Sequence, residues 1–333
     1  MMKKINKRGI ALIAVFLMFL FVLAGCMTRV GGDDPMPETT APSDNPPAPQ
    51  NPEVDETSED IPITINIPGV TAENFPRVDG STAVMPLFAG LYRGVFGISA
   101  EDAEAMVTVS GGTGAVWRNL LWEGADLLIV YEAPENIKEE FKFEMAGLEM
   151  DPIGRDGLVF LVNEKNPVDD LSVLQLQDIY TDKITNWKDV GGDSGPISAF
   201  QRNIESGSQT LFLKLLMDGI EPAEPQTELI VGSMSGLIES VAAFDGSGGA
   251  IGFSVFYYAD LMYANPDLKL LSVNGIQPSS DSIKNEEYPL VNDFYIVIRA
   301  DEPEDSPVRL LRDWFLTDEG TALLLAENYV PVR

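Results

Sequence analysis

Along most of this chain, short blocks of apolar residues alternate with stretches where apolar positions recur three or four residues apart. The blocks Asp126–Tyr131, Leu158–Val162, Ala250–Phe253, Leu268–Val273 and Phe294–Ile298 read as strands. Between them, Leu87-Leu91-Val95, Leu174-Ile179, Leu211-Leu215 and Leu310-Leu311-Trp314-Phe315 place apolar side chains on one face of a helix. Alternation of this kind predicts an α/β fold with a largely parallel or mixed sheet. Two segments before this body follow other patterns. Lys3, Lys4, Lys7 and Arg8 precede an unbroken apolar run from Ile10 to Leu23, and then Leu23-Ala24-Gly25-Cys26. That layout predicts a secretory signal peptide over residues 1–25. Residues 26–70 are rich in proline and acid, and from Arg29 to Arg77 no Lys or Arg intervenes. Such a stretch buries too little apolar surface to offset its ordering entropy, so it reads as a tether. Whether the aliphatic patch Ile61 to Val70 belongs to the tether or begins the fold stays open at this level.

Composition then removes whole classes of function. The chain has 22 basic and 52 acidic residues, a net charge of −30, which disfavours nucleic acid as a partner because a phosphate backbone needs a basic footprint. The same charge repels small anions at long range, so an anion site here has to work through local donors. With no histidine at all, Ser-His-Asp and Cys-His catalysis and histidine-ligated zinc drop out. No P-loop or dinucleotide fingerprint is present among the glycine-rich stretches. The reading is of a protein that is not an enzyme and needs no cofactor or metal.

Three loop-to-helix junctions carry the candidate chemistry: Asp79-Gly80-Ser81-Thr82, Ser110-Gly111-Gly112-Thr113-Gly114, and Ser206-Gly207-Ser208-Gln209 with Arg202 just ahead of it. Pro86 lies in the first turns after the first of them and predicts an irregular start there. A fourth junction, Ser233-Met234-Ser235-Gly236, carries no cation. Helix capping alone explains any one of these. Taken together they suggest an anion site, since helix starts offer unpaired N–H groups and glycine lets an oxyanion reach the backbone. Arg202 would add a charge whose fork suits two oxygens of a tetrahedral anion. Arg93 and Arg118 could reach a cleft, but cations on helix faces are more often solvated, and the four tryptophans read as core or rim packing.

The residues also resemble a known family. Asp79-Gly80-Ser81-Thr82, Gln201-Arg202 with Ser206–Gln209, Leu176–Val190 (LQDIYTDKITNWKDV), Ala250-Ile251-Gly252-Phe253 and Glu319-Gly320…Asn328-Tyr329-Val330-Pro331 are similar to the phosphate-binding proteins of phosphate ABC transporters. The likeness is greatest to the lipoprotein members of Gram-positive bacteria and covers most of residues 77–333. It implies a two-lobed, type II periplasmic-binding-protein-like fold with the ligand in the cleft between lobes. Lobe one would be 71–156 plus 289–333, and lobe two 157–288. It further implies lipid attachment at Cys26, an extracytoplasmic place at the membrane, a permease partner and a monomeric chain. Residue by residue, it implies ligand binding by Ser81, Thr82, Gly112, Thr113, Arg202, Ser206, Gly207 and Ser208. Glu132, in Tyr131-Glu132-Ala133-Pro134, would take the place of an aspartate that accepts the proton of hydrogen phosphate. The sequence departs from the family where an acid usually stands two residues after the arginine: here that place is Ile204, and the acid follows at Glu205. A general oxyanion sensor, or a surface lipoprotein that kept the fold, is the alternative expectation.

Overall fold

A computed structural model of the chain describes residues 64–142, 144–243 and 249–333, all within the compact unit Asp44–Arg333. The signal peptide, Cys26 and nearly all of the tether lie outside the described residues. The described part of the aliphatic patch, 64–70, belongs to the fold. Ile65 and Ile67 are buried in the core, and the Ile65 amide donates to the carbonyl of Gly94 at 3.0 Å, so the ordered body begins before residue 71.

In chain order the strands are β1 (Val78–Gly80), β2 (Leu127–Val130), β3 (Leu148–Asn163), β4 (Asp170–Leu171), β5 (Ser198–Ala199), β6 (Gln201–Arg202), β7 (Ile230–Val231), β8 (Ala250–Val255), β9 (Leu268–Leu270), β10 (Ser272–Val273), β11 (Val291–Arg299) and β12 (Val330–Pro331). The main sheet runs β1-β2-β11-β3-β8-β5, with β9 and β12 also on β3. It is mixed: β1/β2 and β5/β8 are parallel, while β11 is antiparallel to β2 and to β3. Two lobes follow from one strand. Over Leu148–Gly157, β3 pairs with β11; from Leu158 to Val162 it pairs with β8. Backbone hydrogen bonding therefore passes from one lobe to the other without a linker.

The periodicity predicts only the second half of β3, because the first half alternates apolar residues with charge. Its acids have tertiary partners instead of water. Glu149 receives Arg309 at 3.0 Å and Arg312 at 3.0 Å, and Asp151 receives Arg312 at 2.6 Å, from the helix Pro307–Phe315. The single strand expected over Leu268–Val273 is two, since the chain leaves β3 after Leu270 and pairs β10 with β4. Pro86 sits at the second position of the helix Met85–Phe96, where no intrahelical N–H is lost, behind a 3-10 turn at Thr82–Val84.

One large core runs through both lobes, from Leu87 and Ile129 to Phe160 and Phe253, and a smaller cluster lies in the first lobe alone. In the second lobe, Phe160, Tyr180, Phe212 and Phe253 are all buried, with Phe212 stacked on Phe253 at 4.5 Å between ring centroids. In the first, Trp117, Val116, Leu120 and Ile137 pack behind β2. Full burial of such a side chain contributes roughly 1.5–3 kcal/mol. The helices Thr113–Leu121 and Gly207–Leu211 are thus anchored by their apolar faces, and their first residues are left at the cleft.

Candidate functional site

Around the cleft, polar groups are buried that an ordinary core would exclude: Asp79, Ser81, Thr113, Arg202, Ser206 and Ser208. The first two junctions are tied together from beneath by Asp79. Its carboxylate accepts the Gly80 amide at 2.8 Å, the Ser110 amide at 3.0 Å and Asn119 Nδ2 at 2.7 Å. Gly80 has to be glycine, since a Cβ there would collide with the carbonyl of Ile129 and the ring of Phe88. The end of β2 forms the floor. The Tyr131 amide lies 3.5 Å from Ser81 Oγ, and its carbonyl accepts Trp117 Nε1 at 3.1 Å.

The third junction closes onto this floor from the other lobe. The Gly114 amide donates to the carbonyl of Glu205 at 3.0 Å. A Cβ on Gly207 would meet Thr113 Oγ1 at 2.5 Å and the Tyr131 ring at 3.7 Å. Ser81, Thr113, Ser206, Gly207 and Ser208 are therefore brought to one place, with Gly112 exposed at its rim and Thr82 half-buried in the turn behind Ser81.

The helix starts at this place differ from others in the chain. Ser206 stands at the N-cap position of its helix, yet its hydroxyl does not cap; it pairs with Ser208 Oγ at 3.1 Å. Neither Gly112 nor Ser81 supplies a side-chain cap. Ser233, at the fourth junction, does cap, accepting the Gly236 amide at 3.0 Å. Side-chain capping thus accounts for the serine of the fourth junction and not for Ser81 or Ser206.

Arg202 is 7% exposed. Its Nε donates to the carbonyl of Val231 and its Nη2 to that of Gly232, each at 3.0 Å, while its amide donates to Gln209 Oε1 at 2.9 Å. Among the described residues no carboxylate lies within ion-pair distance of it. Burial alone pulls the guanidinium down to about 10, so it stays charged at neutral pH. A buried cation held only by neutral carbonyls is unfavourable by itself and is suited to an anionic partner.

The two acids nearest these junctions are placed differently from what their positions suggest. Glu205 does not reach Arg202. It makes a bidentate pair with Arg118, at 2.9 Å from Nη1 and 2.7 Å from Nη2, and Asn136 Nδ2 adds a third bond at 3.2 Å. The Arg118 guanidinium lowers the carboxyl of Glu205 below its ordinary range. Arg118, expected to be solvated, is thus a cleft residue; Arg93 pairs with Glu327 at 2.9 Å. Glu132 is ion-paired with Lys214 from the other lobe and lies 3.8 Å from Lys138. Lys214 also donates to Asn292 Oδ1 at 2.9 Å.

Two residues of this region escape sequence reasoning. Lys214 belongs to a helical stretch that reads only as amphipathic. Asp156 sits where β3 changes partners and is fully buried: it accepts Tyr131 Oη at 2.7 Å, the Gly157 amide at 2.7 Å and the Tyr257 amide at 3.2 Å. Burial raises its carboxyl to about 6, against the pull of those donors. No local signal marks it, because its partners come from β2 and from the segment after β8. Among the described residues no group of His, Cys, Asp or Glu could hold a metal ion.

Comparison with known proteins places this geometry. The family model described as "PBP superfamily domain" matches residues 49–319. The phosphate-binding protein PstS of Bacillus subtilis (strain 168) is 28% identical over 213 residues, covering 64% of this chain and 66% of that protein, just under two thirds of its length. PstS of Borreliella burgdorferi is 23% identical over 266 residues, covering 78% and 91%. Among solved structures, a putative phosphate ABC transporter substrate-binding protein with bound phosphate from Clostridium perfringens superposes with a TM-score of 0.57 at 23% identity, covering 77% of this chain and 98% of that one. An ABC-type phosphate transport receptor from Vibrio cholerae gives 0.55 at 24% identity, covering 76% and 98%. At these identities the structural likeness speaks for the two-lobed α/β fold.

Proposed function

The chain belongs to the PBP superfamily, and from that premise we propose that it captures inorganic phosphate outside the cytoplasm and hands it to an ABC transporter permease. The observation that carries the reading is Arg202: a buried cation with no carboxylate partner among the described residues, held by the carbonyls of Val231 and Gly232, while its amide meets Gln209 of a helix whose N-cap serine leaves it uncapped. A tetrahedral oxyanion supplies what both lack. Ser81, Thr82, Gly112 and Thr113 would donate from the first lobe, and Ser206, Gly207 and Ser208 with Arg202 from the second. A lobe boundary at 156/157 is supported by the exchange of β3 from β11, up to Gly157, to β8, from Leu158, and one at 288/289 by the start of β11 at Val291. Donors on both sides mean that closure completes the site, so the ligand would shift an open–closed equilibrium rather than undergo a reaction.

Glu132 takes the part of proton acceptor. Its charge is shared with Lys214 and Lys138, so it discriminates less sharply between protonated phosphate and sulfate than an unpaired carboxylate would. Retention at the membrane through a lipid on Cys26 is supported by the basic, apolar and small-residue order of the first 26 residues.

Calorimetric titration of the purified protein with phosphate and with sulfate, at pH 6 and pH 8, tests the reading. Tight phosphate binding with weak sulfate binding is expected. Equal binding would make the protein a general oxyanion receptor, and heat from neither would remove phosphate capture.

A further inference from the structure

Among the described residues, the pairs Arg118–Glu205 and Lys214–Glu132 join the lobes on the side of the candidate donors, and Arg155–Glu286 joins them where β3 changes partners; in the first pair it is the arginine that has a second partner on its own side. Arg118 lies on the helix Thr113–Leu121, five positions after the candidate donor Thr113. Glu205 immediately precedes Ser206. Their bidentate pair therefore joins the second and third junctions directly, and the Gly114 amide bonded to the Glu205 carbonyl runs alongside it. Arg118 also reaches Glu140, with Nη2 at 3.1 Å and Nε at 3.3 Å. Glu140 belongs to the helix Glu135–Glu140, which packs with the Arg118 helix in the first lobe. Arg118 thus stands between a carboxylate of its own lobe and one of the opposite lobe.

We propose that Arg118 and Glu205 form a reversible latch that holds the cleft closed and sets how long a bound anion stays. On opening, Arg118 keeps Glu140, while Glu205, already 37% exposed, passes to solvent, so the latch can cycle. Closed, it gains Glu205 and its bidentate geometry. The latch also explains the displaced acid of the third junction. An acid directed at Arg202 would neutralise it; one position later, the acid crosses the cleft and leaves the charge of Arg202 to the ligand. The side chains of the pair are 20% and 37% exposed, so added salt weakens the latch. Lys214, reaching from the second lobe to Glu132 and Asn292, is the other crossing on the side of the candidate donors.

This inference rests on the phosphate reading only for the direction of its effect on release; the closure itself is read without ligand. The test is hydrogen–deuterium exchange of the segment containing Gly114 in phosphate-free full-length protein, together with stopped-flow release of phosphate. The variants are Glu205→Gln and the exchanged pair Arg118→Glu/Glu205→Arg carried on Glu140→Gln, which removes the like charge the new carboxylate would meet, with thermal unfolding as a check that each folds. Glu205→Gln is expected to raise exchange at Gly114, to speed phosphate release roughly three- to tenfold, and to remove its dependence on salt. The exchanged pair is expected to recover much of both. Wild-type exchange and release in Glu205→Gln, or an exchanged pair no better than Glu205→Gln, overturns the latch. If the wild type binds no phosphate while Glu205→Gln still loosens Gly114, the latch stands and the phosphate reading falls. If the wild type binds phosphate and Glu205→Gln leaves exchange and release unchanged, the latch falls and the phosphate reading stands.

Discussion

Among the described helix starts that carry serine, threonine or a cleft glycine, two groups differ in their chemistry. At Ser99, Ser172, Ser233, Ser279, Ser306 and Thr317 the side-chain oxygen accepts an amide of the first turn, at 3.0 to 3.3 Å. At Ser81, Gly112 and Ser206 no side chain does so. The first group faces solvent or the outer layers, and the second meets at the cleft around Tyr131. Serine alone does not separate them, since Ser172 and Ser206 are the same residue type at the same helical position. What separates them is the neighbour. Ser172 has Gln175, whose side chain completes a reciprocal capping box, whereas Ser206 has the hydroxyl of Ser208. A hydroxyl used for capping is spent on stability; one held by another hydroxyl remains available to a ligand.

Four experiments bear on this contrast. The largest effect is expected for Arg202→Met. Phosphate affinity in calorimetry should fall by about a hundredfold or more. The unfolding temperature without phosphate should move by less than about 3 °C, because a desolvated, unpaired cation contributes little to the fold. A large stability loss would make Arg202 a structural residue and erase the contrast.

Second comes Asp156, which supports the site from behind through Tyr131. Its folded-state carboxyl is raised to about 6 from 3.8. A raised acid favours the protonated fold, so its contribution is fully present below the unfolded value and is lost as pH rises through about 6. Denaturant unfolding at pH 4 and pH 7 should show this loss, of order 2 kcal/mol, and Asp156→Asn should abolish it. An unchanged slope in Asp156→Asn would assign the pH dependence elsewhere.

The paired substitutions Ser172→Ala and Ser206→Ala bear on the contrast directly. Ser172→Ala should cost about 1 kcal/mol in stability and leave affinity alone. Ser206→Ala should do the reverse, with affinity lower by about tenfold. Equal stability losses would return Ser206 to the capping group. The smallest effect is expected for Glu132→Gln: a change of only about threefold in the phosphate-to-sulfate affinity ratio, because Lys214 and Lys138 already share the carboxylate. Complete loss of discrimination would show that Glu132 works as an unpaired acceptor.

Much of the molecule was legible before any coordinates. Strand blocks such as Ala250–Phe253 and helical faces such as Leu87-Leu91-Val95 rest on local periodicity, which survives folding because apolar side chains have to be buried somewhere. The Leu176–Val190 segment is informative for the same reason: Ile179, Tyr180 and Trp187 are buried, and Trp187 Nε1 donates to the carbonyl of Gly249 at 3.1 Å. Chain identity there is dictated by packing. The charged first half of β3 was not legible, because Glu149 and Asp151 look solvated until Arg309 and Arg312 arrive from more than a hundred residues away in sequence.

The sequence by itself determined the α/β alternation, the three glycine- and serine-bearing junctions, and the lone arginine before the third. It also excluded histidine chemistry outright. Only the tertiary structure decided which charge meets which: that Glu205 crosses to Arg118, that Glu132 meets Lys214, that Asp156 is buried under Tyr131, and that Arg202 is left without a carboxylate among the described residues. The physical reason is range. Propensity, periodicity and capping act within about four residues along the chain. Pairing and desolvation of charge depend on what the fold brings within a few ångströms, and at this cleft those partners are contributed by two lobes.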